Sequence, residues 1–240
     1  MEIPRNLSAS GSASGAGLPP GQRRRRDFPR FGVPFTSRPA VPDVPELVVN
    51  GAVERELRLP LTEVFDTLPR VEQTADFHCV ATWSATDLHW SGVSFRQVWE
   101  HIVVPRCRPA DAVAIIAHGA DAVTAVIDLR DAMADNVMLA DRLDGQPLGD
   151  RHGAPLRLVS PSQYGYKNIK HLTRLEATRT FPKPGRILGD HPRARVALEE
   201  RDPYLNARIY RLIGRTLTPP IAWLNRRAAR KSAYSHDIIT

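Results

Sequence analysis

Two stretches of this sequence carry side chains whose types and spacing can do chemistry. The first is Phe77-His78-Cys79-Val80. A cysteine thiolate is a soft ligand for a metal and a good nucleophile. Taken alone, a cysteine in an apolar run is more often a small buried hydrophobe, and the adjacent His78 adds only weak support for thiol chemistry. The second stretch runs His152-Gly153-Ala154-Pro155-Leu156-Arg157, then Pro161-Ser162-Gln163-Tyr164-Gly165-Tyr166-Lys167-Asn168-Ile169-Lys170. Arg157, Lys167 and Lys170 sit there among Gly, Pro and Tyr instead of along a solvated helix. Glycine lets a backbone approach a ligand closely, and loop amides can line an anion site. Arginine offers a fork to phosphate and lysine a point charge. On charge alone the same stretch reads as an exposed basic loop.

Other chemistries find no support. There is no serine-nucleophile elbow, phosphate-binding glycine loop or HExxH helix. Cys79 and Cys107 are two isolated thiols without a CxxC pair, so neither a disulfide framework nor a zinc knuckle is expected. That usage fits a reducing compartment, and a cytoplasmic protein is expected. Cys107, between Arg106 and Arg108, reads as a surface thiol. Trp83, Trp90 and Trp99 read as core or pocket wall, and His101 and His171 as ordinary polar residues.

Charge separates the ends from the middle. The net charge is +7, but residues 1–40 carry +5, residues 201–240 carry +6 and the middle −4. The basic character therefore belongs to the ends, and a nucleic-acid-binding body is not expected. Arg23–Arg26 suggests twin-arginine export, but Asp27-Phe28-Pro29-Arg30-Phe31-Gly32 is no apolar core of a signal peptide, so none is expected. No apolar run is long enough for a transmembrane helix.

The elements that must position these residues are short. Residues 1–22, rich in Ser, Gly, Ala and Pro, read as a disordered tail. Residues 23–45 hold the arginine run with Pro29, Pro34, Pro39, Pro42 and Pro45, and read as an extended arm. The body is expected over 46–182. Strands are predicted at 47–49, 54–59, 76–82, 112–117, 123–129, 155–159 and 172–177. Thr62 is expected to cap a helix over 63–67, and Ser94 one over 95–103 whose Phe95, Val98, Trp99 and Ile102 share a face. A further short helix is expected at 129–134. Many short strands mixed with short helices indicate an α+β fold. Residues 183–240 read as a basic helical C-terminal extension, with Leu205, Ile209, Leu212 and Ile213 as a stripe interrupted by Pro219-Pro220.

Taken together, "HCVATWS" at 78–84, "WSGVSF" at 90–95 and "HGAPLRLVSPSQYGYKNIK" at 152–170 resemble the molybdopterin-binding domain of the sulfite oxidases. The resemblance is strongest to the bacterial branch that includes the methionine-sulfoxide reductase catalytic subunit, and it covers roughly residues 26–180. It implies a sulfite-oxidase-type α+β domain and a molybdenum–molybdopterin cofactor without haem. It implies oxygen-atom transfer to or from a small oxo-compound or oxyanion, sulfite or a sulfoxide, with electrons exchanged through a separate carrier. Residue by residue, it implies that Cys79 ligates molybdenum and is the catalytic residue. It assigns His152 and Arg157 to cofactor contact, and Lys167, Asn168, Ile169 and Lys170 to the grip on cofactor and phosphate. Arg26, Pro29 and Arg30, in "RDFPRFG", correspond to a segment lying across the pterin, and His118 to a further contact. The haem domain that the family's eukaryotic enzymes carry is not expected here, and the basic, helical pattern after about residue 180 departs from the immunoglobulin-like dimerisation domain that many members carry. The competing expectation is a non-catalytic binding protein whose basic tails contact nucleic acid, an anionic membrane or an acidic partner. Salt-sensitive binding in a metal-free protein would mark that alternative.

Overall fold

The computed structural model describes residues 17–25, 28, 39–182 and 191–199. Its first strand, β1 (Arg23–Arg25), comes from the basic run. β2 (Glu46–Gly51) and β3 (Leu57–Pro60) pair antiparallel, with Leu47 opposite Leu59. α1 (Leu61–Thr67) buries Leu61 and Val64. Thr62 lies inside its first turn and Pro60 holds the cap position without a side-chain bond, so Thr62 does not cap. Proline suits a helix start because the missing N–H would have no helical partner there.

β4 (Arg70–Cys79) and β5 (Trp83–Ser94) form the longest antiparallel pair, closed by Cys79 opposite Trp83. The predicted single helix at 95–103 is instead α2 (Phe95–Val98), a π-helical stretch over Trp99–Val103 and α3 (Val104–Cys107). Ser94 occupies its cap position without a side-chain bond. The expected apolar face is nevertheless buried, and so is Cys107, which corrects its reading as a surface thiol. β6 (Ala114–Gly119) and β7 (Thr124–Asp128) follow. α4 (Leu129–Ala132) is capped by the Asp128 side chain, which accepts from the Arg130 amide. β8 (Met138–Leu143), β9 (Gln146–Pro147), β10 (Arg157–Val159), a 3-10 turn at Gly165–Lys167 and β11 (Leu172–Thr178) complete the body.

Two sheets result. In the first, β5 pairs with β4 along its length, with β1 at its start and with β8 at its end, while β8 also pairs with β9 and β10. The second runs β3-β2-β11-β6-β7, parallel only between β11 and β2. A core of Leu47, Val49, Ile115 and Leu175 from the second sheet and Val93, Leu139 and Leu158 from the first joins them. Each such fully buried aliphatic contributes about 1.5–3 kcal/mol. A second cluster, with Trp83, Leu88, Trp90 and Met138, gathers Phe28, Phe77 and Cys79 at its margin. This architecture is the expected α+β domain of mixed sheets and few helices.

Both ends of the body modify the expected boundaries. Residues 17–22 belong with the body: Gln22 turns back on Pro19 and bonds the β4–β5 loop. At the other end, residues 191–199 form turns instead of helix, and the Tyr164 amide donates to Ala194 O at 2.9 Å. The predicted helices beyond residue 200 lie outside the described residues. Among the described residues no helix is long and apolar enough to cross a membrane.

Candidate functional site

The site grows from β10. Arg157 begins that strand and is 1% exposed, so its guanidinium lies inside the protein. Nη1 donates to His152 O at 2.9 Å, and Nη2 reaches Asn168 O at 3.5 Å. Aromatic rings enclose the rest: the guanidinium carbon lies 4.7 Å from the Trp90 ring centroid and 5.8 Å from those of Phe28 and Phe77. Such faces attract a desolvated cation. Nε, however, is buried with no acceptor, and no carboxylate pairs with Arg157 among the described residues. Burial alone pushes its pKa down to about 9. A buried charge with an open donor is costly unless something supplies electron density.

His152 faces the same space. Its ring lies tilted against Phe28, with centroids 4.8 Å apart. Burial, reinforced by the positive charges of Arg157, Arg151 and Lys170, pushes its pKa down to about 3. The imidazole is therefore neutral at pH 7, able to donate from one nitrogen and accept at the other. Those three residues make a cationic group around one neutral histidine. The backbone is shaped to match: Gly153 has φ +103° and lies against Lys170, leaving no room for a Cβ. Gly165 lies so close to Phe77 that a Cβ would come within 2.2 Å of the ring.

Cys79 ends β4, half-buried, on the margin of the same aromatic cluster. Phe77, two residues before it, is one of the rings that surround Arg157 and packs on Phe28 and Trp83. The structure thus brings Cys79, His152, Arg157 and Lys170 to one cluster. His78 is directed elsewhere, its Nδ1 lying 2.8 Å from Ser84 Oγ. Burial lowers its pKa.

Other predicted contacts are committed to the fold. The Asn168 side chain is a staple: Oδ1 accepts the Ser160 amide at 2.7 Å and Nδ2 donates to Ser160 O at 3.2 Å. Ile169 is buried, and its carbonyl accepts the Leu158 amide. Lys167 is fully buried and donates to Val126 O at 2.5 Å, toward the second sheet. His118 is not brought to the cluster. It lies on the second sheet, bonded to Glu176 at 2.9 Å and to Arg174 at 3.0 Å. Arg26, Pro29 and Arg30 lie outside the described residues. Between them, Phe28 sits on the cluster, packing at 4.9 Å on Phe77 and 6.1 Å on Trp90.

Trp90 was expected as core or pocket wall and lines the cage; sequence reasoning missed Phe28 and Phe77 as its other walls, and Arg151. Phe77 opens the stretch that holds Cys79 and Trp90 opens "WSGVSF", which is the signal that points to them. Arg151 directly precedes the third motif.

Residues 35–185 match a family described as oxidoreductase molybdopterin binding domain. An uncharacterized oxidoreductase, YuiH, of Bacillus subtilis is 34% identical over 133 residues, covering 55% of this chain and 65% of that protein. The protein-methionine-sulfoxide reductase catalytic subunit MsrP of Campylobacter jejuni is 28% identical over 153 residues, covering 56% and 49%. The chain thus spans about half to two thirds of the length of these relatives. The sulfane dehydrogenase SoxCD of Paracoccus pantotrophus superimposes over 57% of this chain and 38% of its own, with 24% identity and a TM-score of 0.49.

Proposed function

Because this chain belongs to the oxidoreductase molybdopterin-binding domain family, we propose that it is an oxygen-atom-transferring oxidoreductase whose cluster around Arg157 holds the cofactor. The residues fit such a group. Cys79 offers a soft thiolate, a donor that suits molybdenum beside the sulfurs of a dithiolene. Arg157 offers a buried Nε–H without an acceptor, His152 a neutral ring, and Lys170 a positive charge whose stem packs directly on Gly153. The open donor on Arg157 is the observation that carries the reading, because a self-contained fold has no use for it.

In this reading Cys79 ligates the metal, Arg157 and Lys170 bind the anionic part of the cofactor, and His152 hydrogen-bonds the pterin. Asn168, Ile169 and Lys167 act indirectly by holding the 160–170 loop. When bound, the molybdenum centre supplies two-electron oxygen-atom chemistry. The protein's share is to bind, orient and desolvate. The aromatic cage excludes water, and the cationic group stabilises negative charge in a low dielectric.

The substrate is a small oxo-compound. Reducing a sulfoxide consumes two electrons and two protons and releases water. Oxidising sulfite consumes water and returns two electrons and two protons. The methionine-sulfoxide reductase relative favours a sulfoxide. Either direction needs a separate electron carrier, and Arg226, Arg227, Arg230 and Lys231 supply charge for an acidic one. The test is turnover of the cofactor-loaded chain in both directions. Methionine sulfoxide is offered with a reduced viologen dye, and sulfite with ferricyanide. Faster viologen oxidation supports the sulfoxide reading. Sulfite-dependent ferricyanide reduction alone would reassign the substrate. Activity with neither would contradict the oxygen-transfer reading.

A further inference from the structure

The β4–β5 loop carries a hydrogen-bond network that the reading above does not use. Gln22 Nε2 donates to Cys79 O at 3.1 Å. Ser84 Oγ donates to Gln22 Oε1 at 3.2 Å and lies 2.8 Å from His78 Nδ1. Ser84 is completely buried. Its one hydroxyl proton goes to Gln22, so it must accept from His78, which places a proton on Nδ1. The order is therefore fixed as His78 to Ser84 to Gln22, ending on the carbonyl of Cys79. That carbonyl also accepts the Thr82 amide at 3.1 Å, closing the loop in which Thr82 has φ +67°. The Arg23 amide donates to Thr82 O at 3.1 Å, and Arg23–Arg25 then pair with Trp83–Ala85. The chain segment before Phe28 is thus hooked to both corners of the loop that starts at Cys79.

We propose that Gln22 is a positioning residue that couples docking of the N-terminal arm to placement of the Cys79 thiol. The proposal rests on the reading of Cys79 as the molybdenum ligand. A primary amide is needed because one end must accept from Ser84 while the other donates to a carbonyl. Glutamate keeps the length and the acceptor but sets a carboxylate against the Cys79 oxygen. The arm that carries Phe28 into the aromatic cage and the strand that carries the thiol then share one equilibrium. Whatever orders one orders the other, and the coupling is reciprocal.

The test uses the full chain as wild type, Gln22→Ala and Gln22→Glu, each made with and without cofactor. Three quantities are read: iodoacetamide labelling of Cys79 in the cofactor-free chain, tryptic cleavage at Arg23–Arg25, and the metal's electron paramagnetic resonance spectrum in the loaded chain. Mass spectrometry separates Cys79 from the buried Cys107. Both variants are expected to raise labelling and cleavage together, by roughly threefold to tenfold for one lost hydrogen bond, and to shift the spectrum. Unchanged labelling with an unchanged spectrum would overturn the proposal. So would increased cleavage with the thiol unaffected, since Gln22 would then only tether the arm. A wild-type chain that takes up no molybdenum would overturn the ligand reading itself and the proposal with it, a failure read independently of the Gln22 variants.

Discussion

The inter-sheet core and the Arg157 side chain are both buried, yet their surroundings are built on opposite rules. The core is apolar throughout, mainly Leu, Val and Ile from both sheets with Phe95 and Trp99. The cluster buries a guanidinium among Phe28, Phe77 and Trp90 and leaves one of its donors open. The contrast sharpens within one loop. Asn168 has both ends of its amide bonded to the 160–164 backbone, whereas Arg157 next to it does not satisfy its own. A buried polar group that is fully bonded serves the fold, and the open donor of Arg157, beside the neutral His152 and the Cys79 thiol, is available to a ligand.

Breaking each region should therefore have opposite effects. Leu139→Ala in the core is expected to cost about 2–5 kcal/mol in urea unfolding. Arg157→Met is expected to leave the cofactor-free protein unchanged or to stabilise it by about 1–3 kcal/mol, while cofactor retention on gel filtration falls at least about tenfold. Strong destabilisation by Arg157→Met would make Arg157 a structural strut and erase the contrast.

A pH series sharpens the comparison. His152 has its pKa lowered from its usual value to about 3, so the folded state binds fewer protons than the unfolded state between those values. Its contribution is fully present above about pH 6.5 and is lost as pH falls toward 3. Between pH 7 and 5 the cofactor-free chain should lose about 2 kcal/mol through this group. His78 and His191 are lowered as well, so the difference between wild type and His152→Gln isolates it. Parallel pH profiles would show that His152 is not held neutral by its surroundings. The smallest effect is expected at Thr62→Ala, under about 0.5 kcal/mol, because Thr62 makes no cap. A loss near 1 kcal/mol would restore it as one.

How much of this was legible in the sequence depended on the range of the interactions. Cys79 and the 152–170 stretch stood out because their residue types and spacing are local. The strand around Leu59 followed from alternation, and that around Leu47 from a short apolar, β-branched run. β5 did not, because Trp83–Ser94 is buried on both sides over much of its length and shows no simple period. β1 was hidden in a run of arginines, since its pairing with Trp83–Ala85 is decided by a strand some sixty residues away. Direction was the other limit. Lys167 sits two residues from the 3-10 turn's start, and nothing local tells that its side chain runs to Val126. His118 was assigned to the cofactor by resemblance, but strand alternation turns it toward Arg174 and Glu176.

The central claim is that Cys79 and the cluster around Arg157 hold a molybdenum cofactor. It is tested most directly by measuring molybdenum and pterin per chain after expression in a cofactor-producing host, with Cys79→Ser alongside. Near-stoichiometric metal in the wild type, with loss of metal or an altered metal spectrum in the variant, is the predicted result. A well-folded wild type without molybdenum or pterin, from a host that loads a known relative, would contradict it.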